Sequence, residues 1–185
     1  MLLKRFLLSI IILSCIAIVS CVDNLDFDQV EDIEIFPTAE VDLIFFTLVT
    51  QNFDDVDNSD MPQTERDTTL VSFLDDSFLR ENVTNIELTF RVDNSFVQSF
   101  TNRVTFLDAN LNVMYAIDFN INASPSGEPV QSLLVDNISG AELEGFLSSN
   151  RIVNEVTLLP NDNPIIGELN FESKGLFQFR ISDFE

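Results

Sequence analysis

VTNIELTFRV, residues 83–92, carries the pattern that decides the fold. Ile86, Leu88, Phe90 and Val92 fall on one side of an extended chain, with Glu87, Thr89 and Arg91 on the other. Side chains alternate across a strand with period two, so this stretch predicts a β-strand with one face buried and one in water. The same period continues outward in both directions. Upstream, residues 68–74 form a short β-rich run, and residues 41–50 are apolar nearly throughout, which predicts a strand covered on both faces. Downstream, residues 103–107 and 113–121 flank Asp108-Ala-Asn-Leu-Asn112, a polar hairpin turn. Val113, Tyr115, Ile117, Phe119 and Ile121 share one face of the returning arm. Residues 130–135, 152–159, 167–171 and 175–182 complete a set of about eight to ten short strands with no βαβ rhythm.

One segment reads as a helix. In residues 139–149, Ser139 is placed to cap with Glu142 three positions on, and Leu143, Phe146 and Leu147 follow at helical spacing. Gly145 weakens that helix. The expected fold is therefore all-β: an antiparallel β-sandwich over residues 41–185 with one short helix, a closed barrel being the alternative. Phe45, Phe90, Phe106, Phe119, Phe171 and Phe179 are expected to fill the space between the sheets. The same aromatic content suits a second reading, an inter-sheet cavity that carries a lipid or other apolar ligand.

The first twenty residues differ from everything after them. Lys4 and Arg5 precede an apolar run from Phe6 to Val19, and no further charge occurs before Asp23. That is short for a membrane span, which needs about 20 apolar residues, and it suits a signal-peptide core followed by cleavage. Ile18-Val19-Ser20-Cys21 resembles the lipobox of bacterial lipoproteins. The resemblance implies cleavage before Cys21, diacylglycerol on its thiol, and a chain divided into a signal peptide (1–20), a lipidated cysteine with an acidic tether (21–40) and the sandwich. Each lipid methylene buried contributes about 0.8 kcal/mol, so two or more acyl chains hold a soluble domain firmly to a membrane. The acidic stretch behind the cysteine, Cys21-Val-Asp-Asn-Leu-Asp-Phe-Asp-Gln, is similar to export signals of Bacteroidota surface lipoproteins, and like charges keep such a tether extended. NSFVQSFTNRVTFLDANLNVMY, residues 94–115, also resembles a pattern in small Bacteroidota lipoproteins. Together these resemblances imply a bacterial envelope setting, at the outer membrane and on its surface, and no activity.

Composition narrows the chemistry. The full chain has a formal net charge of −22, which grows more negative when Lys4 and Arg5 leave with the signal peptide. Such a chain repels nucleic-acid phosphate and favours a basic or Ca²⁺-bridged envelope partner. There is no His and no Trp, and the two cysteines are Cys15 and Cys21. Ser–His–Asp and Cys–His nucleophiles and His- or Cys-based zinc sites are thereby excluded. A Ser–Lys pair would need Lys174, the only lysine beyond the signal peptide. Catalysis would then rest on carboxylates alone, as in glycoside hydrolysis, and the expectation is a non-enzyme. Two acidic loops carry alternating oxygens. In Asp54-Asp-Val-Asp-Asn-Ser-Asp60, Asp55, Asp57 and Ser59 are candidates for a Ca²⁺ ion, although the EF-hand glycine is missing. In the Asp108–Asn112 turn the oxygens are better explained by the turn itself. No other cofactor is expected.

Overall fold

The computed structural model describes residues 34–53 and 62–182. Among these, eight strands follow one another: β1 (Thr38–Val49), β2 (Gln63–Leu70), β3 (Val83–Asn94), β4 (Ser99–Leu107), β5 (Val113–Ile121), β6 (Val130–Ser139), β7 (Arg151–Leu159) and β8 (Glu168–Phe179). They build two four-stranded antiparallel sheets, ordered β1-β8-β3-β6 and β2-β7-β4-β5. The two sheets pack as a sandwich. Only β4 and β5 are sequential neighbours within one sheet; every other connection crosses to the opposite sheet. That order is a jelly roll, two Greek keys closed face to face.

The alternation is realised from Ile86 to Val92, after a bulge between Val83 and Asn85. Ile86, Leu88, Phe90 and Val92 on β3 are each 0% exposed. Aromatic rings from both sheets meet in the middle. Phe90 of β3 and Phe171 of β8 lie 5.7 and 6.4 Å from Phe119 of β5, ring centre to ring centre, so side chains occupy the inter-sheet space at this level. Phe53, Phe96 and Phe100 form a second cluster with centroids 5.5–6.0 Å apart.

The described residues hold two short α-helices, α1 (Ser77–Asn82) and α2 (Gly140–Leu147). The sequence pattern showed only the second. Leu143, Phe146 and Leu147 of α2 are buried as their spacing predicts, with Phe146 4.6 Å from Phe106. Ser139 stands at the N-cap position, still paired with Asn85 in β6, and its side chain makes no cap bond. Gly145 has a packing reason. A Cβ there would stand 3.1 Å from the Met114 carbonyl oxygen, so the glycine lets the helix lie close against β5.

Four expectations are corrected. The run at 41–50 is not covered on both faces: β1 is a sheet edge, and Phe45 is 70% exposed rather than part of the core. A bulge between Asp42 and Ile44 shifts its register and turns Leu43 and Ile44 both inward. The stretch 68–74 is a strand only as far as Leu70; Ser72–Asp75 forms a 3₁₀ turn. Residues 167–171 and 175–182 are not two strands, since β8 runs unbroken through Gly175, where the Phe177 ring covers the site of the missing side chain.

Candidate functional site

The register of the β2-β7-β4-β5 sheet lines up short polar side chains in transverse rows on its outer face. Thr64, Thr157, Thr101 and Asn120 make one row, and Arg66, Glu155, Arg103 and Asp118 the next. Each row draws one residue from each of four strands. All of them but Arg66 line a shallow groove of about 530 Å³.

The charges in this groove are tied to one another. Arg103 Nε and Nη2 donate to the two carboxylate oxygens of Asp118 at 2.8 and 2.9 Å, a bidentate fork. Those bonds, with the Asp118 charge and the nearby Glu155 carboxylate, raise the Arg103 pKa above its ordinary value. Arg66 Nε lies 3.9 Å from Glu155 Oε1. In the neighbouring row the Thr64 and Thr157 hydroxyls share a hydrogen bond of 2.7 Å. Towards the β4–β5 hairpin the same face becomes apolar, with Leu70, Leu111 and Val113 exposed around the covered Leu107.

This arrangement offers many donors and acceptors but no activated nucleophile. Asp118 and Glu155 are separated by the whole width of β4, about 9.6 Å at two strand spacings, and Arg103 stands between them. Nor do Ser173 and Lys174 form a pair. They point to opposite faces of β8: the Ser173 hydroxyl accepts from the Ile44 N–H inside, and Lys174 Nζ donates to Glu40 at 2.7 Å outside.

Cys21, Asp55, Asp57 and Ser59 lie outside the described residues. Among the described residues no group of three or more acids stands close enough to hold a metal ion. The Asp108–Asn112 loop is a hairpin turn. Asp108 Oδ1 accepts from the Asn110 and Asn112 N–H groups at 2.8 Å, and Oδ2 accepts from Asn112 Nδ2 at 2.9 Å. Those bonds, led by the Asn112 side chain, hold the Asp108 carboxyl below the usual carboxylate range. No described helix is long and apolar enough to cross a membrane.

No known protein family matches the chain, and no curated protein does. Similar solved structures exist at low identity. One is a protein of Parabacteroides distasonis inferred to be secreted, at 10% identity and TM-score 0.48, covering 63% of this chain and 38% of that one. Another is the VP2 subviral particle of infectious bursal disease virus, at 9% identity and TM-score 0.39, covering 81% of this chain and 33% of that one. A third is CBM27-1 of Caldicellulosiruptor saccharolyticus in complex with mannohexaose, at 14% identity and TM-score 0.35, covering 67% and 68%. The chain thus spans well under half the length of the first two.

Proposed function

We propose that this protein is a lipoprotein of the bacterial cell envelope, anchored through Cys21, whose sandwich acts as a non-catalytic interaction module. The lipobox-like Ile18-Val19-Ser20-Cys21 and the acidic stretch behind it support the anchor and its place on the outer membrane. The observation that carries the binding role is the outer face of the β2-β7-β4-β5 sheet. Hydroxyls, an amide and ion-paired charges stand there in register, fixed by bonds to one another and open to solvent. Preorganised groups of this kind bind a partner without rearranging. The formal charge of −22 favours a basic partner by steering its approach. The meeting of Phe90, Phe119 and Phe171 inside the sandwich supports this reading over a carrier of apolar molecules.

A photo-crosslinking side chain tests the proposal in cells. Placed at Thr101 in the groove, it is expected to give a discrete protein adduct that is lost when Arg103 and Asp118 are both changed to alanine. The same group at Gln178, on the outer face of the other sheet, is expected to give none. Equal labelling from both positions, or none from Thr101, would overturn the assignment of this face.

A further inference from the structure

The exposed apolar side chains gather at one end of the sandwich. Strand β2 finishes there at Leu70, the 3₁₀ turn and α1 follow, and the β4–β5 hairpin turns back there. Phe36, Leu70, Phe73, Phe78, Leu111 and Val113 all stand exposed around this end, Phe36 and Leu70 at 67% and 73%. Ring contacts between elements fix the common location. Phe73, just beyond the last strand residue of β2, packs against Phe177 of the other sheet at 6.2 Å, and Phe78 lies 5.9 Å from Phe179. The opposite end, where β7 gives way to β8, exposes only Leu159 and Ile166 among the described large apolar residues.

Leu111 supplies an independent observation. Its φ is +68°, in the left-handed region, and it is the only described residue other than glycine held there. Asparagine or glycine adopts that conformation more readily, and asparagines stand on both sides, at 110 and 112. The bonds of Asp108 already fix the turn. A leucine in this strained position, exposed at the tip, serves to project an apolar side chain from the end of the sandwich.

We propose that this end rests on the lipid surface to which the chain is anchored, its apolar side chains reaching into the boundary between headgroups and acyl chains. The proposal rests on the anchoring at Cys21. Only residues 22–33 lie between Cys21 and Glu34, the first described residue, a reach of no more than about 45 Å at full extension. The chain joins the sandwich at this same end, where Ile35 pairs with Ile181. A surface held that close is met at high effective concentration, so a few shallowly inserted side chains are enough to orient the domain. Charge selects the lipid. Asp75, Asp76, Glu81, Glu142 and Glu144 are exposed at this end, against Arg80, Arg151 and Arg180. Their carboxylates stay at headgroup level, where an anionic bilayer repels them and a zwitterionic one does not. The net charge of −22 likewise opposes a second copy of the chain as occupant. The strands then rise from the membrane, and the row of Thr64, Thr157, Thr101 and Asn120 stands towards the far end, open to a partner.

The experiment places the full-length protein from the membrane fraction in phosphatidylcholine vesicles, with a nitroxide label on Phe78→Cys, Leu111→Cys or, at the far end, Ile166→Cys. With Cys21 blocked by lipid and Cys15 removed with the signal peptide, each variant takes one label. Relaxation of the label by oxygen, which concentrates in lipid, is compared with relaxation by a water-soluble nickel chelate. The expected oxygen-to-nickel ratio is severalfold higher at positions 78 and 111 than at 166. It should fall when Phe36→Asp and Leu70→Asp are added, or when half the lipid is phosphatidylglycerol. The three labels decide the matter even if the aspartate variant does not fold. Equal ratios in protein that floats with the vesicles would overturn the proposal and leave the anchor standing. Spin–spin broadening at position 111 that disappears on dilution with unlabelled protein would assign this end to a second copy, and so overturn it too. Protein that does not float removes the anchor, and this proposal with it.

Discussion

Tyr115 Oη donates a 2.6 Å hydrogen bond to Asp136 Oδ2 and so ties β5 of one sheet to β6 of the other. It closes the side of the sandwich opposite the β1 and β2 edges. Burial raises the Tyr115 pKa most, and the bond to Asp136, the charge of Asp136 and then the charge of Glu142 raise it further. A phenol with a raised folded-state pKa contributes stability that is complete below the unfolded value of about 10 and is lost as pH rises through the folded value. The chain has one tyrosine, so tyrosinate absorbance reports this group alone. The tyrosinate should form above the pH of a free phenol. Tyr115→Phe should cost about 1 kcal/mol near neutrality. As the pH passes above about 10 the variant should also lose less stability than the parent in urea unfolding, because it lacks the titrating group.

The core assignment separates two phenylalanines that look alike in sequence. Phe90 is 0% exposed and Phe45 is 70% exposed. Phe90→Ala should cost about 3–5 kcal/mol through lost burial and the cavity left behind. Phe45→Ser should change stability by no more than about 0.5 kcal/mol. Chemical denaturation of both variants checks the contrast.

Gly167 is held at φ +156°, and a Cβ there would stand 2.7 Å from the Phe96 backbone nitrogen. Gly167→Ala should therefore destabilise by about 2 kcal/mol or more, through backbone strain and collision. Gly127, at φ +77° with nothing nearby, should lose only about 1 kcal/mol as alanine. The difference between their denaturation midpoints reports the close approach itself.

The fork between Arg103 and Asp118 is exposed, and exposed ion pairs add little to stability. Asp118→Asn should leave the thermal midpoint nearly unchanged while reducing crosslinking from Thr101. A large fall in the midpoint would make the fork a structural clamp rather than part of a binding surface.

Much of the fold was legible because burial writes itself into alternation. Strand β3, flanked by strands and covered on one face, shows period two from Ile86 onward, and the β4–β5 hairpin is announced by Asp108 and its neighbours. The edges were harder to read. Strand β2, QTERDTTL, has no apolar residue before Leu70 and no buried one, because it is a sheet edge. Strand β1 carries apolar residues on both faces although water covers one, and its bulge changes phase midway. The candidate groove left no local trace. Thr64, Thr101, Asn120 and Thr157 lie far apart in the chain and meet only through the register of four strands. The signals at Cys21 and at Asp55, Asp57 and Ser59 lie outside the described residues and rest on sequence alone.

The anchor is tested most directly by the intact mass of the protein recovered from the membrane fraction, for the parent and for Cys21→Ala. A chain lacking residues 1–20 and carrying added lipid mass at Cys21, with both changes abolished by the substitution, is the expected result. An uncut chain without lipid in the parent would contradict the anchored lipoprotein, and the apolar N-terminus would then have to be read as a retained membrane segment.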